Sequence, residues 1–101
     1  MNIQPSRTGE RATLRLSGRF QFDSHRDFRS AYDVHLADPG VKVIVLDFAG
    51  VDYLDSSALG MLLLLREKLG AVGKTVELAH ARGVVKQVLD VANFARLFRI
   101  S

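Results

Sequence analysis

From Arg11 to Ser17 apolar and polar residues alternate without a break: Ala12, Leu14 and Leu16 fall on one side, Arg11, Thr13, Arg15 and Ser17 on the other. A period of two over seven residues predicts a strand with one buried face. Residues 2–7, joined to it through Thr8-Gly9-Glu10, form the expected hairpin partner, and Pro5 suits an edge strand, where a missing N–H costs little. Gly18 is expected to end the second strand. The period then changes. Phe28, Ala31, Tyr32, His35 and Leu36 follow helical spacing, with Ser24 as the expected N-cap, Asp27 in the first turn, and Asp38-Pro39-Gly40 as the stop. Val43-Ile44-Val45-Leu46 is a continuous β-branched run, as expected of a central strand covered on both faces. It ends at Asp47-Phe48. A loop over residues 49–54 then leads to Asp55-Ser56-Ser57, where a long helix starts and runs to about Val72, its end marked by Gly70 and Gly73. Residues 74–79 read as a strand. Val84, Val85, Val88, Leu89 and Val91 mark a third helix ending near Asn93, and residues 96–100 a last short strand.

The predicted order is β-β-α-β-α-β-α-β: an α/β domain of one small, mixed, mostly parallel sheet with helices packed on it. Right-handed crossovers place the chemistry of such a sheet at the carboxyl ends of its strands, where residues 47–57 lie.

The second helix carries more apolar residues than one buried stripe requires. At about 100° per residue, Ala58, Leu62, Leu65 and Leu69 share a face. Leu64 points away from it, among Gly60, Glu67, Lys68 and Ala71, with Leu63 on the flank. Two readings stand open. A neighbouring helix covers Leu64, or Gly60, Leu64 and Ala71 form a shallow apolar patch suited to docking a partner.

Composition narrows the classes. A length of 101 residues, 48% apolar and 25% charged, is that of one ordinary soluble domain with a core of its own. There is no cysteine, so disulfides, thiolate metal sites and cysteine nucleophiles are excluded. His35 falls on an apolar stripe with no second ligand at metal spacing, so a partly buried histidine with a local hydrogen bond is expected rather than a metal ligand. The first six residues contain no apolar signal segment, and the longest apolar run, residues 61–65, is far too short to span a membrane. A cytoplasmic location is the expectation. A net charge of +3 raises the question of nucleic acid, but Arg7, Arg11, Arg15, Arg19, Arg26 and Arg29 are interleaved with Glu10, Asp23, Asp27 and Asp33, and no nucleic-acid module pattern occurs. Asp47, Asp52 and Asp55 lie near one another in sequence, with Ser56 beside them. No G-x-S-x-G elbow, positioned histidine or P-loop accompanies them, so neither an enzyme nor a cofactor site is expected.

The stretch Leu46-Asp47-Phe48-Ala49-Gly50-Val51-Asp52-Tyr53-Leu54-Asp55-Ser56-Ser57-Ala58-Leu59-Gly60 resembles the signature of the STAS family, named for sulfate transporters and anti-sigma-factor antagonists: a strand ending in Leu-Asp, a short loop, then D-S-S-x-L-G opening a helix. Gly18-Arg19-Phe20 and the third-helix pattern match as well. A stand-alone domain resembles the antagonist branch more than the permease branch. The resemblance implies that Ser56, first serine of the D-S-S triplet, accepts phosphate from an anti-sigma serine kinase, and that a PP2C-type phosphatase removes it. Unphosphorylated protein would bind the kinase and release a sigma factor. The residue chemistry is compatible, because a helix N-terminus offers an exposed hydroxyl and free N–H groups; the competing reading makes Asp55 and Ser56 simple helix caps. The partner surface so implied comprises Gln21, Asp23, Asp55, Ser57, Gly60 and Leu64. Two positions depart from the family pattern. Ala58 stands where glycine is frequent, and Gln21 where aspartate is common, with Asp23 two residues on. The alternative function is a constitutive STAS interaction module, such as a cytoplasmic subunit of a lipid-transport complex.

Overall fold

The alternation in the second strand organises the molecule. The computed structural model describes residues 1–101. β1 (Asn2–Thr8) pairs antiparallel with β2 (Arg11–Phe20) through a tight turn in which Gly9 supplies a φ of +60°. β3 (Val43–Leu54), β4 (Thr75–Ala79) and β5 (Arg99–Ile100) follow in parallel, giving a five-stranded sheet in the order β1-β2-β3-β4-β5. The crossovers carry α1 (His25–Leu36), α2 (Ser56–Ala71) and α3 (Gly83–Val91).

Every crossover moves the chain in the same direction across the sheet, so right-handed connections put all three helices on one face. Burial agrees. Ala12, Leu14 and Leu16 of β2, Ile44, Leu46 and Phe48 of β3, and Val76 and Leu78 of β4 belong to one 23-residue core with Phe28, Tyr32, Leu62, Leu65, Val85 and Leu89 of the helices. The reading of residues 43–46 as a strand covered on both faces is therefore corrected. Val45 is only 8% exposed yet lies outside that core. Its cover is polar: the Arg11 guanidinium on β2 reaches Glu77 on β4 with a 2.7 Å contact, and the register sets Val43 beside Arg11 and Val45 beside Glu77, so the ion pair spans β3 above them. Burying a β-branched side chain needs exclusion of water, and long charged side chains can provide it.

Two strands are longer than expected. β2 passes through Gly18 to Phe20, and β3 runs through the segment expected to be a loop. The ladder accommodates this with two irregularities. From Arg15↔Asp47 to Ser17↔Gly50, β2 advances two residues while β3 advances three, and from Gly18↔Val51 to Arg19↔Tyr53 it advances one against two. Each adds one residue to β3, as β-bulges do. Gly50 is needed at the first: a Cβ there would lie 2.9 Å from Ser17 Cβ and 3.1 Å from the Leu16 carbonyl oxygen.

Element ends differ in detail. Ser24 occupies the N-cap position of α1 as expected, but its side chain makes no capping bond to the helix. A 3-10 turn, Phe22–Ser24, intervenes, and the buried Ser24 hydroxyl accepts from the Gln21 N–H (3.3 Å) and donates to the Arg19 carbonyl (3.2 Å). Gly70 lies inside α2, and Gly73, with φ +75°, follows its end. Asn93 takes the left-handed conformation just beyond α3. The last strand begins only at Arg99, because Phe94–Arg96 form a 3-10 turn that stacks Phe94 on Phe98, ring centroids 5.0 Å apart. Lys74 precedes β4; its buried ammonium donates to the carbonyls of His35 (2.8 Å), Leu36 (2.8 Å) and Asp38 (2.6 Å), closing the C-terminus of α1. His35 is partly buried as expected, but its Nε2 has no hydrogen-bond partner in place of the local bond anticipated. Burial, then the nearby Arg7, lowers its pKa.

Candidate functional site

β3 delivers the D-S-S triplet to the carboxyl end of the sheet. Asp55 leaves the strand in extended conformation (φ −103°, ψ 179°) and is the N-cap of α2. Its backbone N–H donates to the Phe20 carbonyl (3.3 Å), which ties it to the end of β2. Its carboxylate accepts two bonds: Oδ1 from the Ala58 N–H (2.8 Å) and Oδ2 from the Phe22 N–H (3.1 Å). One side chain thus caps the helix and holds the turn between β2 and α1 against it. Of the four amides that open a helix without intrahelical partners, those of Asp55 and Ala58 are satisfied in this way, leaving Ser56 and Ser57. Both serines are exposed at the first turn, beside the positive end of the helix dipole.

Ser57, Gly60 and Leu64 line a shallow groove with Phe22, His25 and Met61. Three residues expected at the partner surface are therefore together, and Asp55 joins them through Phe22. No helix covers Leu64, which is 39% exposed. Ala71, offered with it as part of one patch, is not in the groove. Gln21 is half-buried at the start of the turn and Asp23 is exposed within it. The Arg19 Nε donates to Gln21 Oε1 at 3.5 Å, and the Arg19 guanidinium lies 4.1 Å from the centroid of the Tyr53 ring. The side chain at Gln21 thus orients an arginine, where a carboxylate would neutralise it.

Phe22 is the residue that the sequence reading missed. It is 70% exposed, and its signal was present: an aromatic between Gln21 and Asp23 that falls off the stripe of the following helix. A second apolar surface was missed too. Leu59 borders Val88 and Val91 of α3 and the C-cap Ala92, and Val91 is 85% exposed. The acidic residues do not gather as their spacing in sequence suggested. With β3 extended, Asp47 and Asp55 are separated by on the order of 20–25 Å of strand. Asp47 instead accepts from the Ala49 N–H (2.9 Å) and faces Arg15 at 3.9 Å. No group of three His, Cys, Asp or Glu comes together where it could hold a metal.

The Asp-Ser-Ser helix start at the end of a parallel strand, on this sheet order, is decided by comparison with known proteins. A family model described as "Mlab, STAS domain" matches residues 3–99. The chain belongs to the STAS family. A STAS-domain containing protein of Pseudomonas aeruginosa (strain UCBPP-PA14) is 43% identical over 97 residues, covering 96% of this chain and 94% of the relative. BtrV of Bordetella bronchiseptica, named for anti-sigma factor antagonism, is 28% identical over 64 residues, 63% of this chain and 55% of its own length. Among solved structures, the anti-sigma factor antagonist SpoIIAA in its unphosphorylated form superposes with a TM-score of 0.82 at 21% identity, covering 99% of this chain and 88% of SpoIIAA. That likeness is one of fold: a mixed, mostly parallel STAS sheet with its helices. No helix is long and apolar enough to cross a membrane.

Proposed function

We propose that this STAS domain is an anti-sigma-factor antagonist that works by partner switching. Unphosphorylated, it binds an anti-sigma serine kinase and so frees a sigma factor; phosphorylation at Ser56 ends that complex, and a PP2C-type phosphatase restores it. The observation that carries the reading is the Asp55 bridge, which leaves Ser56 exposed on the first turn of α2 and holds the Phe22 turn beside the groove of Ser57, Gly60 and Leu64. In the phosphoryl transfer, the Ser56 hydroxyl oxygen bonds to the γ-phosphorus of ATP, the bond to the ADP oxygen breaks, and the hydroxyl proton passes to a base on the kinase. The product places a charge of about −1.5 to −2 next to Asp55, whose carboxylate is already committed to two N–H groups. That charge changes the docking rim and asks no rearrangement of the sheet. SpoIIAA, which shares the fold, has been solved in unphosphorylated and phosphorylated forms.

Incubating the protein with ATP and its cognate kinase, followed by mapping of the phosphate, tests the proposal. Phosphate on Ser56, lost in Ser56→Ala while kinase binding persists, is expected; phosphate on Ser57, or on neither serine, contradicts it. A second reading is a constitutive STAS module, such as a cytoplasmic subunit of a lipid-transport complex. The matching family model is described as a STAS domain and names neither phosphorylation nor an antagonist role, which is compatible with it. Stable co-purification with a transporter assembly, undisturbed by Ser56→Asp, is its signature.

A further inference from the structure

The carboxyl end of β2 presents one arginine that the fold holds in place and leaves uncompensated. Phe20 and Leu54 are core residues paired across β2 and β3, so Arg19 and Tyr53, the pair before them, fall on the sheet face that no helix covers. Both are exposed. Arg19 is fixed at three points. Its carbonyl accepts from the buried Ser24 hydroxyl (3.2 Å), its Nε donates to Gln21 Oε1 (3.5 Å), and its guanidinium carbon lies 4.1 Å from the centroid of the Tyr53 ring. At that distance the electron-rich face of the ring attracts the cation, and a planar head already stacked gives up less freedom when it binds.

The charge of Arg19 is not spent within the molecule. The five ion pairs of the chain draw on Arg7, Arg11, Arg15, Arg29 and Lys86, and none on Arg19. Asp23 and Asp52, exposed and close to Arg19 and Tyr53 in sequence, lie outside ion-pair distance of it. Gln21 accepts from Nε without neutralising the group, and the two terminal nitrogens make no hydrogen bond. The position matters as much as the charge. Gln21 immediately precedes Phe22, so the guanidinium that touches it lies beside the turn bordering the groove of Ser57, Gly60 and Leu64. A partner seated on that turn meets a cation with free donors, and the protein group that complements them in charge and geometry is a carboxylate.

We infer that Arg19, set on Tyr53 and Gln21, receives an aspartate or glutamate of the docking kinase and so selects kinases that carry an acidic residue at that point. The inference rests on the partner-switching reading and adds to it the chemistry by which one kinase is chosen over another.

The test is isothermal titration with the kinase that phosphorylates Ser56, at low and at high sodium chloride. Arg19→Gln is expected to weaken binding at least about tenfold at low salt, and to lessen the loss of affinity that salt causes in the wild type. Arg19→Glu sets like charges against each other and is expected to weaken binding on the order of a hundredfold. Gln21→Asp leaves Arg19 in place but gives it a carboxylate of its own; a smaller loss is expected, which covers the case in which removing Arg19 disturbs the strand end. Arg29→Gln, at an exposed arginine on α1, is expected to leave affinity unchanged. Changing the matching acidic residue of the kinase to arginine is expected to restore binding to Arg19→Glu. Wild-type affinity in Arg19→Gln, or a loss no greater than that of Arg29→Gln, overturns the inference and leaves the switch standing. A wild-type protein that binds no kinase overturns the switch, and this inference with it.

Discussion

Leu62, Leu63, Leu64 and Leu65 are consecutive residues of one type in one helix, and the fold divides them evenly. Leu62 and Leu65 are fully buried in the core; Leu63 and Leu64 are 40% and 39% exposed. The cause is geometric. With all three helices on one face of the sheet, α2 can bury only the stripe that faces the strands, and successive residues turn by about 100°. Leu64 is left beside Phe22 and His25, and Leu63 one turn on from Leu59, which borders α3. Apolar residues beyond the needs of the core mark the side of α2 that is free to meet a partner. The same helix is a structural element on one side and, in the proposed function, a docking ridge on the other.

The largest effect expected from this comparison is on the buried side. Leu65→Ala removes a side chain packed from all directions and should cost about 2–5 kcal/mol in urea denaturation. Asp55→Ala comes next. It removes both the helix cap and the bond to the Phe22 N–H, so a loss of about 1–2 kcal/mol is expected. Asp55→Asn sharpens the point: its carbonyl can still accept from Ala58, but its amide nitrogen cannot accept from Phe22. Leu64→Ala should change stability by less than about 1 kcal/mol, yet weaken kinase binding by about 1–2 kcal/mol in a partner titration. Leu64→Lys should fold and not bind. A stability loss for Leu64→Ala equal to that of Leu65→Ala would break the comparison.

The smallest expected effect lies in two surface ion pairs, Arg11–Glu77 on the open face of the sheet and Arg7–Asp38 beyond the end of α1. Glu77 has its carboxyl pKa lowered, first by the Arg11 hydrogen bond, and Asp38 has its own lowered, first by the Gly40 N–H and then by Arg7. A carboxyl with a depressed folded pKa stabilises the protein above its ordinary value and loses that contribution as pH falls through the folded one. Denaturation midpoints should therefore fall on acidification below the ordinary values of 4.5 and 3.8, and Glu77→Gln should flatten that fall. An unchanged slope in the variant would show that the pair roofing Val45 contributes nothing, as exposed pairs often do.

What was legible in the sequence follows from the range of the forces involved. The β2 strand was readable because one-sided burial writes a period of two into adjacent residues. The Asp55 cap was readable because a cap and its acceptor lie three residues apart. The cover over Val45 was not, since Arg11 and Glu77 are 66 residues apart, and the run of residues 43–46 looks the same whether helix or ion pair lies above it. The extension of β3 depends on Gly50 meeting Ser17 across the sheet, and the Asp55 bond to Phe22 joins residues 33 apart. Local chemistry located the serine, and long-range pairing supplied the surface around it.

The central claim is that phosphate on Ser56 switches partner binding. Isothermal titration of the kinase with unphosphorylated protein and with protein stoichiometrically phosphorylated on Ser56 tests it most directly. Affinity at least about tenfold weaker for the phosphorylated form, with Ser56→Asp or Ser56→Glu weakened to a lesser degree because one charge imitates phosphate incompletely, is the expected result. Equal affinities for the two forms would contradict the account.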